Sequence, residues 1–519
     1  MPGSIRSVYP GDASSIGLIA PAVVMTGSGA TQTWGQLDER SNRLANFWRV
    51  HGLVVGDHVA LLMENVIEFP EVCWAAHRSG LMYTPINSHL TANEVAFILH
   101  DCGARSLVTT VALAAVAHDA LRDCPLVETV LCVGGARGFD DYESALANSS
   151  PAILHDETSG APMLYSSGTT GVPKGVLRPL SGRHPSDIVG TGLAFKHHYN
   201  AGPSTRYLSP APMYHSAPLS FALGVHMVGG TLYMMERFDP EAALRSIETY
   251  RITHSQWVPT MFSRMLKLPD EIRSSVDLST HEAAVHGAAP CPVPLKRQMI
   301  DWWGPIIWEY YAGTEGPGST LVTSEEWLRK PGSVGRVTSG TIHILGDDGT
   351  ELSAGESGSI YFESPSATGF RYHGDDVKTA ASRTAQGWST MGDIGYLDPD
   401  GYLFLTDRKA FTIISGGVNV YPQEAENVLS LHPSVADVAV FGVADDDLGE
   451  VPMAVVQVAA GVTQSIELAN ELLAYCREHL ASIKCPRTVT FEVELPRLPT
   501  GKLYKQILRD RYANPKPTV

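Results

Sequence analysis

The chain has 519 residues, 44% of them apolar and 18% charged, and a formal charge of −17. That length exceeds a single hydrophobic core and predicts two or more domains of a soluble globular protein. The acidic balance excludes nucleic acid as the main partner but leaves room for a local basic pocket holding a nucleotide.

Residues 33–52 carry apolar side chains at helical spacing: Trp34, Leu37, Leu44, Phe47 and Trp48. Thr33 is the expected N-cap, and Gly52 lies past the end. Before this, the apolar stretch Ile16 to Met25 holds a proline, lacks a basic flank and is too short to cross a bilayer. Val59 to Met63 reads as a buried strand, Phe69 to Gly80 as a helix and Tyr83 to Asn87 as extended chain. Thr91 caps an expected helix from Ala92 to His100, and Ser106 to Thr110 reads as a strand. The rhythm recurs in the strand Thr231 to Met235, the helix Pro240 to Tyr250 and the strand Thr253 to Val258. Such β-α-β-α alternation predicts an α/β fold with mostly parallel sheets.

After about residue 330 the pattern changes to short strands with Gly-rich turns, as at 341–345, 358–363 and 398–405. A small β subdomain is expected there. Past Asp407-Arg408-Lys409 it changes again: a helix over 422–432, strands over 435–443 and 453–458, a helix over 466–480 and a strand over 488–492. This predicts a compact α+β tail of roughly a hundred residues. The expected organisation is a core over 1–406 with its β-rich part at about 330–406, a hinge at 407–410, and a C-terminal domain over 411–519. Seven scattered cysteines, odd in number and without Cys-x-x-Cys spacing, predict a reducing compartment and no zinc site. A cytoplasmic protein with no integral membrane segment follows. No motif specifies an oligomer, which leaves a monomer or a homodimer.

The densest chemistry lies in Tyr165-Ser166-Ser167-Gly168-Thr169-Thr170-Gly171-Val172-Pro173-Lys174-Gly175. Glycines let backbone N–H groups approach an anion, hydroxyls donate hydrogen bonds and lysine supplies charge. That is what a loop needs to grip polyphosphate. It is not a Walker A loop, because the Gly-Lys-Ser/Thr spacing is missing. The string resembles the phosphate loop of the adenylate-forming enzymes: acyl-CoA synthetases, luciferases and peptide-synthetase adenylation domains.

The resemblance runs from about residue 30 to 510. Thr33 to Ala45 is similar to the first signature of that superfamily, and Tyr310-Tyr311-Ala312-Gly313-Thr314-Glu315 to its Tyr-Gly-x-Thr-Glu motif. Ser389 to Asp393 and Asp407-Arg408 resemble the ribose and hinge motifs. Gly416 to Pro422 resembles the loop beyond the hinge, and Pro499-Thr500-Gly501-Lys502 the terminal lysine motif. The resemblance is nearest to acyl-CoA synthetases of the fatty-acid type. It implies a C-terminal domain that moves about Lys409 and Ala410 between adenylating and thioester-forming orientations. Relatives usually carry Asp or Lys near Ala410, so a polar hinge contact is missing here.

The implied roles follow residue by residue. Ser166, Ser167, Gly168, Thr169, Thr170, Gly171 and Lys174 would hold the β- and γ-phosphates of ATP, and Thr314 the α-phosphate. Glu315 would hold Mg²⁺, a hard cation that takes oxygen ligands. Gly287, Ala288 and Ala289 would line the adenine, beside Tyr310, Tyr311, Ala312 and Gly313. Asp393 would accept from the ribose hydroxyls, and Arg408 would bind ribose or phosphate. Lys502 would bridge the carboxylate and the α-phosphate. Gly416 and Gly417 would line a pantetheine tunnel for coenzyme A, with Lys484 and Arg487 as candidates for its phosphates.

For the acid, Tyr214, His215, Phe221, Trp257, Gly287, Ala312 and Gly313 are the expected pocket. Amino-acid-activating relatives place an Asp after the aromatic residue to pair the α-ammonium. His215 stands there in this chain, and an unpaired buried ammonium is costly. A plain hydrophobic acid is therefore expected: fatty, steroid-side-chain or aryl. His215 would gate the pocket or contact the carboxylate. The leading expectation is an ATP-dependent acid:CoA ligase. The alternative is an adenylation enzyme loading a separate carrier protein. A luciferase-like oxidase is favoured by no residue. A non-enzymatic binding protein is opposed by the joint presence of Lys174, Glu315, Asp393, Arg408 and Lys502.

Overall fold

A computed structural model describes residues 17–166, 173–289, 291–364, 369–408, 411, 413–415, 418–445, 448–497, 503 and 505–513. The first long helix, Trp34–Val50, begins where its cap dictates. Thr33 Oγ1 accepts from Gln36 N at 3.2 Å, and Gln36 Oε1 accepts from Thr33 N at 2.8 Å. This reciprocal box satisfies two amides that a helix start leaves open. The face carrying Trp34, Leu37, Leu44 and Trp48 is fully buried.

Two sheets dominate the larger part of the chain. Six parallel strands run in the order 140–141, 129–133, 104–110, 58–62, 82–86 and 161–162. The Met82–Ile86 strand is buried along its whole length, as befits a parallel sheet covered on both faces. The second sheet has 13 strands. Its middle is parallel: Pro21–Met25, Thr231–Met234, Arg206–Ser209, His254–Trp257, Ala283–His286 and Ile307–Ala312. From Ile307–Ala312 outward the ladder turns antiparallel through Ser319–Val322, Ser333–Ser339, Leu403–Arg408, Asp393–Leu397, Gly358–Glu363 and Thr341–Leu345. The β-rich stretch expected after residue 330 thus continues the parallel sheet as one hydrogen-bonded ladder.

The two faces of the large sheet bury different cores. Phe195, Tyr207, Tyr214 and Phe221 pack on one, with Tyr310 against them. Trp257, Phe262, Met299 and Trp303 pack on the other. A third, small sheet joins Leu164–Ser166, Lys174–Leu177 and Arg371–Tyr372 antiparallel. Beyond residue 411, a five-stranded sheet is built on the hairpin Val435–Asp445 and Gly449–Val458. The helices Pro422–Leu429 and Ile466–His479 cover it, and Ala425, Leu429, Val440 and Leu472 form a separate core. Among the described residues, no helix is long and apolar enough to cross a membrane.

Candidate active site

Chemistry gathers where the C-terminal ends of the parallel strands meet the small sheet. Ser166 and Lys174 are direct partners across the antiparallel pair. Ser167, Gly168, Thr169, Thr170 and Gly171 lie outside the described residues. Lys174 Nζ is 2.8 Å from Asp375 Oδ2. Asp375 also accepts from Lys378 N at 2.9 Å, capping the helix Asp376–Ala381. The Lys174 ammonium, helped by that cap, holds the Asp375 carboxyl below the usual range. Lys378 sits 4.1 Å over the Tyr372 ring. Burial lowers its ammonium, and the neighbouring Lys174 lowers it further.

Thr314 and Glu315 follow the Ile307–Ala312 strand in a tight turn. Tyr372 OH donates to Glu315 Oε1 at 3.0 Å, and Arg178 Nη2 donates to the Thr314 carbonyl at 2.9 Å. A Cβ on Gly313 would lie 2.4 Å from Met391 Sδ, so any larger residue would have to displace the Met391 side chain. Arg178 and Lys378 thus face the Glu315 carboxylate, and Lys174, paired with Asp375, adjoins Lys378. That arrangement suits a polyphosphate carrying a divalent ion. Among the described residues, no group of three or more His, Cys, Asp or Glu could hold a metal by itself. Magnesium at Glu315 fits as an ion that takes its other ligands from phosphate and water.

Beside this cluster, Tyr311 OH donates to Asp393 Oδ2 at 2.7 Å. Asp393 is 6% exposed and opens its strand opposite Arg408. Gly287 and Ala288 leave the neighbouring strand Ala283–His286. A Cβ on Gly287 would meet the Tyr310 ring at 2.7 Å, so the glycine is required by close packing. Ala288 has φ of 66°, a left-handed conformation that L-residues rarely adopt. The structure thus brings Lys174, Gly287, Ala288, Ala289, Tyr310 to Glu315, and Asp393 to one rim.

The acid-side residues lie on the sheet face below. His215 is the N-cap residue of the helix Ser216–Met227, with its ring 4.4 Å from that of Tyr214. Burial, with His89 adding to it, pushes the imidazole down to about 3, so it is neutral at physiological pH. Its Nε2 is buried without a hydrogen-bond partner. Phe221 lies 5.5 Å from Tyr310, centroid to centroid. Trp257 does not join them, contrary to the sequence expectation. It is fully buried on the opposite face, 5.5 Å from Trp303, and its Nε1 donates to Ser255 Oγ. The reason is strand alternation: His254 reaches the Tyr199 carbonyl and the Phe195 ring on the acid-side face, so Trp257, three residues on, points away.

Of the coenzyme A candidates, Lys484 pairs with Glu424 at 2.6 Å, and Arg487 lies 3.9 Å from Asp445. Both cations are met by carboxylates. Lys409, Ala410, Gly416, Gly417 and Lys502 lie outside the described residues. Sequence reasoning missed Arg178, Tyr372, Asp375 and Lys378. Arg178 alone left a signal, since it shares the two-residue repeat of Lys174 along the same strand direction.

Comparison with known proteins agrees with this geometry. The model for AMP-binding enzymes matches residues 19–370, and that for the AMP-binding enzyme C-terminal domain matches 424–502. The long-chain-fatty-acid–CoA ligase FadD13 of Mycobacterium tuberculosis is 33% identical over 499 residues, 95% of each chain. A feruloyl-CoA synthase of Amycolatopsis sp. is 32% identical over 500 residues, 95% of this chain and 96% of that one. The crystal structure of ATP-bound MatB from Rhodopseudomonas palustris superposes with a TM-score of 0.82 at 27% identity, covering 96% of this chain and 97% of that one. With a family model spanning most of its length and a relative 33% identical across 95% of each chain, the chain belongs to the AMP-binding, adenylate-forming enzyme family.

Proposed function

We propose that this protein is an ATP-dependent carboxylic acid:CoA ligase acting on a hydrophobic acid, fatty, steroid-side-chain or aryl. A carboxylate is a poor acyl donor because oxide is a poor leaving group. In the first step its oxygen attacks the α-phosphorus of ATP, forming an acyl-adenylate and releasing pyrophosphate. In the second, the thiol of CoA attacks the acyl carbon and AMP leaves. Bringing a carboxylate against a triphosphate needs offsetting charge and positioned donors more than covalent help. Lys174 would serve the β- and γ-phosphates, Thr314 the α-phosphate and Asp393 the ribose. Magnesium held at Glu315 would offset phosphate charge. Lys502 would bridge the two reacting groups.

The observation that supports this most is the Lys174–Asp375, Tyr372–Glu315 and Arg178–Thr314 network, a charged cleft beside the Tyr311–Asp393 pair. The acid is hydrophobic in this reading because the neighbouring face is aromatic and His215 is neutral, with no carboxylate to pair an ammonium. The FadD13 and feruloyl-CoA relatives, one acting on long-chain fatty acids and one on an aryl acid, bracket the range. The test is ATP–pyrophosphate exchange over fatty, aryl, steroid-like and amino acids, with and without CoA. Acid-dependent exchange with CoA-dependent AMP release is expected. Exchange with no CoA turnover would instead point to a carrier protein as acceptor.

A further inference from the structure

Arg178 is assigned no contact with the nucleotide in the reading above, yet it bears on three consecutive residues of the nucleotide rim. Its Nη2 donates to the Thr314 carbonyl at 2.9 Å. Glu315 supplies the charge that faces its guanidinium. A Cβ on Gly316 would lie 2.2 Å from the same Nη2, and Gly316 takes φ of +58°. A lone carbonyl in a turn needs no arginine, since water would serve it. A planar guanidinium holds a carbonyl while facing a carboxylate with its N–H groups in a fixed fork, a geometry that a lysine's freely rotating ammonium does not impose. The carbonyl of Thr314 defines the plane of the peptide joining it to Glu315. Holding that plane sets where the Thr314 hydroxyl and the Glu315 carboxylate enter the cleft. Gly316 leaves the space that the guanidinium occupies.

We propose that Arg178 is a positioning residue for the nucleotide: it locks the Thr314-Glu315-Gly316 turn in the orientation that receives the phosphates. Arg178 acts through the turn and not as a second Lys174. The inference rests on the ligase reading only in taking ATP as the nucleotide. Glycine at 316 suits the turn's φ of +58° and leaves the guanidinium its place, since a Cβ there would lie 2.2 Å from Nη2.

The test uses the full chain as wild type, Arg178→Gln, Arg178→Lys, Gly316→Ala and the Arg178→Gln/Gly316→Ala pair. MgATP affinity is read by calorimetry and thermal unfolding without ligand. Thioester formation is read from supplied acyl-adenylate and CoA. Arg178→Gln is expected to weaken MgATP binding roughly tenfold to a hundredfold, the scale of lost positioning. Its unfolding midpoint should match wild type, and its use of supplied adenylate, which keeps only the α-phosphate, should fall less than its MgATP affinity. Arg178→Lys should recover only part of the affinity. Gly316→Ala should weaken binding, and the pair should lose less than the sum of the two, because displacement of the guanidinium is shared while alanine strain at φ of +58° remains. MgATP affinity of Arg178→Gln within twofold of wild type would overturn the proposal. So would a loss that tracks the unfolding midpoint, full recovery by lysine, or no MgATP binding by wild type. Wild type that binds MgATP yet exchanges pyrophosphate with no acid would count against the ligase reading alone, leaving the Arg178 comparison to stand.

Discussion

In the proposed reading Lys174 would meet ATP with its charge already engaged, because Asp375 holds it at 2.8 Å. Phosphate would have to share or displace that carboxylate. Asp375→Asn keeps the helix cap, since asparagine caps as well as aspartate, and removes the competing charge. The KM for MgATP should fall by about twofold to fivefold, the worth of a solvent-accessible pair, and a rise would contradict the picture. Ala288 is strained by its φ of 66°. Ala288→Gly should raise the denaturant midpoint, relieving up to about 1 kcal/mol of strain, while a loosened adenine loop raises the KM for ATP. His215 is held neutral down to about 3, so it does not titrate in the working range. His215→Gln should change acid affinity without moving the pH–rate profile between pH 6 and 8. An acid limb that disappears in the variant would show that substrate restores the imidazolium.

Elements explain what the sequence could and could not reveal. The capping boxes at Thr33 and Thr91 were readable because cap and partner lie three residues apart. The strands 341–345, 358–363 and 488–492 fall where alternation and turns set them. Lys174 was readable from the chemistry of its loop, while Thr314, Glu315 and Asp393, and their gathering round one nucleotide, were readable only through motif resemblance. Asp375 lies 201 residues from Lys174, and no local pattern links them. Trp257 was misassigned because a motif gives position along a strand and not which face the side chain takes. One residue of register decides that. A direct comparison follows. Trp257→Ala should cost about 3–5 kcal/mol of stability, the usual price of emptying an aromatic core site, and leave the order of preferred acids unchanged. Phe221→Ala, on the face shared with Tyr310, should reorder those preferences in a panel of competing acids.

At the scale of the whole molecule, burial keeps several histidines neutral. His77 and His226 are pushed down to about 4, His215 and His281 to about 3, and His286 well below its usual value, each mainly by burial. Unfolding lets each take up a proton at its ordinary value near 6.5. Below that pH the unfolded chain binds more protons, so stability falls with pH, by up to about 1.4 kcal/mol per unit for each histidine. Glu71 and Glu309, raised by burial, oppose this in part. The unfolding midpoint should therefore drop from pH 6.5 to 5, and a flat profile there would contradict the burial of these rings. The central claim, that the acid is activated as an adenylate, is tested most directly by following oxygen. An exchanging acid labelled with ¹⁸O in its carboxylate is turned over with ATP and CoA, and the products are weighed by mass spectrometry. The account requires one ¹⁸O in AMP and none in pyrophosphate, because the bond made to the α-phosphorus in the first step breaks on the acyl side in the second. Unlabelled AMP, or label in ADP, inorganic phosphate or pyrophosphate, would contradict it.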